Sequence, residues 1–469
     1  MHRTEGANHV DNKYAGGPPA TTMTPKALNA MQEEIVNCIV QAGLTLHNAS
    51  NDDDNWTQLW EAISTRGGED RIITTQLGFE NAIEDGTGAN TYQIKDGIKS
   101  LYFKPLVGGY TASGILEGAE TWGDIQTNEC VRIIFEGGAY INFAALQGHL
   151  EVDTDDCYLE GADIRGDGVI GAAVDSFLLG ADRVTFQNCA TSNRSSNVNF
   201  TGFQGNATYN ATSQYSNCRA YTLDTNSNKT CNGFTLCENL NNCKAWDLDC
   251  SGNGLVSGFY TCKFLTGCTA EDLESTTGGV YGFGLCDNVS NCRAKQIDTP
   301  GFSCSGFKLC NFISGCLAED MDGNTACAGF SDCTLVSNCA AEDLDSDGGT
   351  VYGFSSCTQI SACRAWDLAS TAGHAIGFIN CEDVSGCRAS QVDTTGGGNN
   401  AYGYNGCDRV AGCSAVNIDS AAATANGFYS CTYLAACYTD EALNAACDFV
   451  DTDDAGIAIN YSCQQTIWQ

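Results

Sequence analysis

Three sets of residues in this chain could do chemistry, and each set recurs at a fixed spacing. The first is cysteine. Nine pairs lie six residues apart, from Cys237 and Cys243 to Cys431 and Cys437, in a chain that holds 29 cysteines. Thiols in such a pattern can bind metal, form disulfides or fill a core. Zinc sites use gaps of two to four residues and often histidine; here five residues separate each pair, and the chain has only 5 His. Disulfide scaffolds belong to short chains that lack another core. Free cysteine behaves as a small buried hydrophobe, and columns of buried thiols fit the pattern best. Disulfides between neighbouring repeats stay open, because a strand spacing of ~4.8 Å lies within the Cα separation that a bridge can span.

The second set is acidic. One row runs through Asp247, Asp272, Asp320, Asp343 and Asp367, and a second through Asp249, Glu274, Asp298, Asp322, Asp345, Asp393 and Asp419. Carboxylates in a row could form a Ca²⁺ edge, with Asp247, Asp249, Asp272, Glu274, Asp320 and Asp322 as ligands. The competing reading is a solvated turn in which Asp is chosen for its backbone-bonding chemistry. Gln296, Gln391, Asn417 and Ala369 interrupt the rows and favour the second reading. The third set pairs Trp246 with Lys244 and Trp366 with Arg364. An outward Trp beside a basic residue suits stacking on sugar rings; a subunit contact, or strand propensity alone, would explain it equally well. The basic row of Lys244, Arg293, Arg364 and Arg388 could also pair with the acidic rows.

These residues need elements to hold them. Between Gly233 and Cys437 a block of 24 ± 2 residues recurs nine times. It reads Gly-Phe, two residues, Cys, two residues, an aliphatic, two residues, Cys, one residue and usually Ala. The spacing inside each Cys pair never changes, while the spacing between blocks drifts from 23 to 26. The pair is therefore rigid and the slack sits in a linking turn. A fixed period of this size marks a solenoid. Helical repeats need longer units, whereas three short strands and three turns fill one coil of a parallel β-helix. Side chains two apart on a strand share a face, so Cys243 and Ala245 point the same way. Odd spacings such as Cys237 to Leu240 require a corner. The repeat thus predicts two corners around the central aliphatic and another before Leu248. All these rows are expected to face inward and stack like on like. Parity does not orient the Phe row, but a column of exposed aromatics would be a large sticky patch, so Phe234, Phe259 and their equivalents are expected inside.

Composition narrows the function. The net charge is −35, which argues against nucleic acid, since that needs a basic footprint, and against anionic membranes. No apolar run is long enough to insert in a bilayer. Met1-His2-Arg3-Thr4-Glu5-Gly6 carries no apolar signal-peptide core, and synthesis in a reducing cytoplasm would keep thiols free.

The N-terminal segment differs in kind. Thr24 as N-cap, Pro25 and the stop at Gly43 predict a helix over 24–43, with Leu28, Met31, Ile35, Ile39 and Ala42 on one face. A second helix begins near Asn55 with Trp56, Leu59, Trp60 and Ile63 as its stripe. Two short helices bury too little to stand alone. The runs Thr4-Glu5-Gly6-Ala7-Asn8, Gly17-Pro18-Pro19-Ala20-Thr21 and Leu28-Asn29-Ala30-Met31-Gln32-Glu33-Glu34-Ile35, followed by Gln58-Leu59-Trp60-Glu61-Ala62-Ile63, resemble the leader of tailed-phage tail fibres and tailspikes. The resemblance covers about 65 residues, and the β-helix body is similar in architecture to tailspike bodies. It implies that residues 1–65 attach the protein to a baseplate or tail protein through Leu28, Met31, Ile35, Trp56 and Trp60. It also implies a homotrimer, a place in the virion tail after synthesis in the host cytoplasm, and a host-surface glycan as partner. The cysteine ladder is not part of that resemblance.

The expected organisation is a helical attachment segment at 1–65, a β-rich neck at 66–125, a parallel β-helix at 126–439, regular from 231, and a C-terminal cap at 440–469. No cofactor is implied beyond the Ca²⁺ alternative. Glycoside hydrolysis needs two carboxylates at a defined separation, and 57 acidic residues supply pairs by chance. Depolymerase sites would interrupt the coils with insertions, and the nine regular copies have nearly none. A receptor-binding or spacer fibre is therefore the leading expectation, with a polysaccharide depolymerase as its alternative and a bacterial surface adhesin as a third.

Overall fold

The computed structural model describes residues 70–442, apart from short stretches at 86–90, 112–123, 144–148, 167–168, 171–173, 197–198, 207, 209–211, 226–227, 397 and 422. The N-terminal leader, including Leu28, Met31, Ile35, Trp56 and Trp60, and nearly all of the C-terminal segment lie outside the described residues.

The chain is a parallel β-solenoid with three sheets of 15, 14 and 15 strands. One coil shows the logic. Cys231–Thr235 enters a sheet lined by the Phe row, here the Phe sheet. Glu238–Asn241 enters the short sheet. Lys244–Cys250, seven residues, enters the long sheet. The next coil repeats the order one strand higher, and the register is like on like: Phe234 pairs with Phe259, Leu240 with Leu265, Ala245 with Ala270 and Leu248 with Leu273.

The Phe row is buried, as expected. From Phe203 to Phe428 each ring stacks on the next at 4.6–4.9 Å and 4–6°. Burying each such side chain is worth about 1.5–3 kcal/mol. No coil can bury its own ring faces, so stacking and folding are one process.

Corners occur where two inward residues stand three apart, and each is made by a residue in the left-handed region placed just before the second. In the coil from Cys231 these are Leu236, Asn239, Asn242 and Asp247, with φ of 55, 55, 51 and 55°. A period-2 strand would turn the following side chain outward; the left-handed residue turns it back in. The three expected corners are present, and a fourth stands before the first cysteine. Asn, Asp and Gly recur at these positions because an L side chain pays a penalty there. This conformation accounts for the Asp247 row: Asp272, Gln296, Asp320, Asp343, Asp367, Gln391 and Asn417 all have positive φ.

The Gly row has a different cause. A Cβ on Gly233 would lie 2.6 Å from the Ala245 Cβ and 2.7 Å from the Gly258 carbonyl oxygen, and Gly258, Gly282 and Gly306 meet Ala270, Ala294 and Ala318 in the same way. The Phe sheet and the long sheet come so close here that only Gly facing Ala fits. The two conserved-length features of the repeat are thus one packing constraint.

The 26 described cysteines are free and buried. Many of their thiols point at backbone carbonyls of the coil below. The Cys262 thiol donates to Phe234 O at 3.5 Å, Cys310 to Phe283 O at 3.3 Å and Cys268 to Leu240 O at 3.7 Å. Cysteine is small enough for the column and brings a weak donor to a polar backbone, which Ala or Val would not.

The first described coils belong to the same three sheets. Asp70–Ile73, Ser100–Phe103 and Arg132–Phe135 pair in parallel in the short sheet. A short helix, α1 (Gln76–Glu80), sits beside them, with the Thr75 hydroxyl accepting from Gly78 N at 3.0 Å. Its Phe79 meets Phe103 and Tyr110 edge-on at 5.8 Å each.

Candidate functional site

The long sheet carries the candidate chemistry on its outer face. Its strands alternate until the left-handed corner, so residues one and three after the second cysteine point out. The first outward column contains Arg219, Lys244, Arg293, Arg364 and Arg388; the next contains Tyr221, Trp246, Lys295 and Trp366.

Trp246 is half-buried and stacked on Tyr221, ring centroids 4.4 Å apart and ring planes nearly parallel. Lys244 Nζ stands 4.9 Å from the centre of the Trp246 ring and forms a 2.5 Å ion pair with Glu271. That ammonium holds the Glu271 carboxyl below its ordinary range. Five coils further on, Arg364 sits 4.9 Å over Trp366 and pairs with Glu342 at 3.1 Å. The two Trp residues occupy one straight column through Glu271, Lys295, Glu319 and Glu342. Five steps of ~4.8 Å put them roughly 24 Å apart.

The two platforms differ in their surroundings. Around Trp366 there is a groove of about 250 Å³ lined by Arg364, Trp366, Arg388, Ser390, Gln391 and Asn417. Above Trp366 in register stand Ser390 and then Val416. The change from indole to small side chains opens the notch, and Trp366 forms its wall. Arg364 and Arg388 are direct register partners, and both are exposed. Like charges in that position repel. Arg364 is offset by Glu342, whereas Arg388 has no ion pair among the described residues. Gln391 and Asn417 replace the acid of the corner column in the two coils after Trp366, whose own coil keeps Asp367; Ala369 replaces the acid of the other column in the Trp366 coil, and Asp393 and Asp419 follow it.

Reasoning from the sequence paired Trp366 with Arg364 but left Arg388, Gln391 and Asn417 in separate rows. It missed Tyr221 and Ser390. The usable signal was two neutral residues in succession in the corner column, in the coils directly after a Trp.

The acidic residues form two columns. Asp224, Asp249, Glu274, Asp298, Asp322 and Asp345 pair in register as one continuous column. Asp247, Asp272 and Asp320 occupy the corner column instead. Burial, followed by neighbouring carboxylates, raises the carboxyls of Asp249, Glu274, Asp322 and Asp345. Thr222 donates to Asp247 at 2.8 Å. Among the described residues no three His, Cys, Asp or Glu side chains gather as a group that could hold a metal ion.

No family model matches the chain, and no curated protein matches it. Among solved structures it is similar to the A-module of the mannuronan C-5 epimerase AlgE6 of Azotobacter vinelandii, at 11% identity, covering 73% of this chain and 91% of that one, with a TM-score of 0.23. It is also similar to a variant of the periplasmic alginate epimerase AlgG, at 8% identity, covering 84% and 89%, with a TM-score of 0.21. Both act on polysaccharide by their names; neither likeness carries an activity to this chain.

Proposed function

We propose that this protein is a rod-shaped surface-recognition protein of the tail-fibre or tailspike type. In this reading residues 1–65 anchor it to a phage tail, three copies assemble, and the long sheet of the solenoid engages a host-surface glycan. The observation that carries the glycan part is the groove at Trp366. An aromatic wall, two guanidiniums, a hydroxyl and two amides converge there on an otherwise acidic rod. Aromatic faces stack on the apolar faces of sugar rings, while amides and guanidiniums bind ring hydroxyls, the mix that ligand sites typically use. The leader's resemblance to phage tail proteins supports the anchoring part.

The test uses the full chain and host-surface polysaccharide in a binding assay, with release of reducing ends followed in parallel. Trp366→Ala is expected to weaken binding about tenfold or more, the size of one good stacking or polar contact, with no new reducing ends. Release of reducing ends would make the protein a depolymerase instead. Deleting residues 1–65 is expected to abolish incorporation into virions while the rod still folds; continued incorporation would remove the anchoring role.

A further inference from the structure

We propose that the Trp366 groove is a subsite for an acidic sugar, with Arg388 clamping a sugar carboxylate; this rests on the glycan-binding reading above and names its ligand class. Three observations lead there. Arg364 and Arg388 stand directly opposite each other in neighbouring coils, an arrangement that repels unless an anion lies between or beside them. Glu342 supplies that anion for Arg364 at 3.1 Å, and Arg388 has no ion pair among the described residues. The guanidinium is planar and matches a carboxylate with two parallel hydrogen bonds. It projects into the same groove as the indole wall, so a ring stacked on Trp366 would place its carboxylate within reach.

The charge background agrees. A polyanion would be repelled along most of the long sheet, where the corner column is Asp at 247, 272, 320, 343 and 367. At this groove the column becomes Gln391 and Asn417, and the adjacent acidic column drops to Ala369. The corner column is thus neutral in the coil of Arg388 and the one after it, although Asp367, Asp393 and Asp419 remain nearby. At Trp246 the following coil supplies Glu271, tied to Lys244, and Asp272 instead of Ser390 and Gln391, so that platform suits a neutral sugar.

The test measures binding of the full chain to oligogalacturonate, to oligosialic acid, to the same oligogalacturonate with its carboxyls reduced to hydroxymethyl groups, and to sulfated dextran. At least one carboxylated probe is expected to bind. Arg388→Gln is expected to weaken it tenfold or more, because charge-assisted hydrogen bonds are the strong ones, with thermal stability not lowered. Arg388→Lys keeps the charge without the fork and should recover only part of the loss. Arg364→Gln should cost less, since its charge is already matched. Equal binding of the carboxyl-reduced probe, or no effect of Arg388→Gln, would overturn the acidic-sugar assignment and leave the glycan reading standing. Binding through Arg388 to sulfated dextran alone would overturn the carboxylate assignment. Binding to none of the probes or to host polysaccharide, with Trp366→Ala silent, would overturn both.

Discussion

At the scale of single residues, the cysteine columns are the feature most open to misreading. Their chemistry is suppressed by position. Burial pushes the Cys130 thiol up to about 11, and burial raises Cys157, Cys218 and Cys357 well above the ordinary thiol value. The thiolate is the reactive form, so these four are poor nucleophiles at neutral pH, and burial keeps reagents from every described cysteine, including those such as Cys243 and Cys363 that thiol neighbours lower. We expect a thiol-reactive dye to find almost no groups in the native protein, and close to the full 29 of the sequence after denaturation without reductant. A count near zero in the denatured protein would mean that the columns are bridged. The corner residues show the converse case, where a side chain is chosen for backbone geometry. Leu309 and Phe312 stay exposed at φ 54 and 53° at positions where other coils carry Asp332 or Asn288, and the structure offers no packing reason for that choice.

At the scale of elements, the coil is held by ladders more than by any single contact. The Phe ladder is continuous, with Phe330 stacked on Phe307 and Phe354 at 4.7 Å on each side. Removing one ring opens a cavity that the neighbouring coils cannot close, because Gly329 already presses on Ala341 there. Phe330→Ala should therefore cost about 3–5 kcal/mol. The loss should be local, since each coil touches only its neighbours. Hydrogen exchange is expected to accelerate in the coils of Phe307, Phe330 and Phe354 while the coils near Phe234 stay protected. Uniform acceleration along the rod would show that the solenoid unfolds as one unit instead.

At the scale of the whole molecule, the acidic ribbon sets the response to pH and salt. Six carboxylates from Asp224 to Asp345 stand one above another, and neighbours a few Å apart repel by about 1 kcal/mol per pair in water. Burial raises Asp298 and, with its neighbours, Asp322 and Asp345. An acid whose folded value is raised lends its stability below the ordinary carboxylate range and loses it as pH rises through the folded value. The melting temperature should therefore fall as pH rises from about 4 towards neutrality, the ordinary Asp value being near 4. Added salt should recover part of the loss by screening. Asp298→Asn should stabilise the protein by about 1 kcal/mol at neutral pH and low salt, with a shallower pH slope. An unchanged slope would mean that solvent already screens the column.

Period, coil order and the inward rows were legible in the sequence alone, because stacking a 24-residue unit on itself leaves each column a single residue type. The Phe row needed only the cost of exposing it. The site was not legible in the same way. Trp366, Arg388 and Asn417 are dozens of residues apart, and only the in-register pairing of three coils brings them to one groove. The same is true of the corners. Spacing says where a bend must fall, and the chemistry of Asp says why it suits a turn, but neither says that the bend is a left-handed residue. Side-chain periodicity is a local property written along the chain, whereas the neighbours of an outward residue come from other coils and exist only once those coils are stacked.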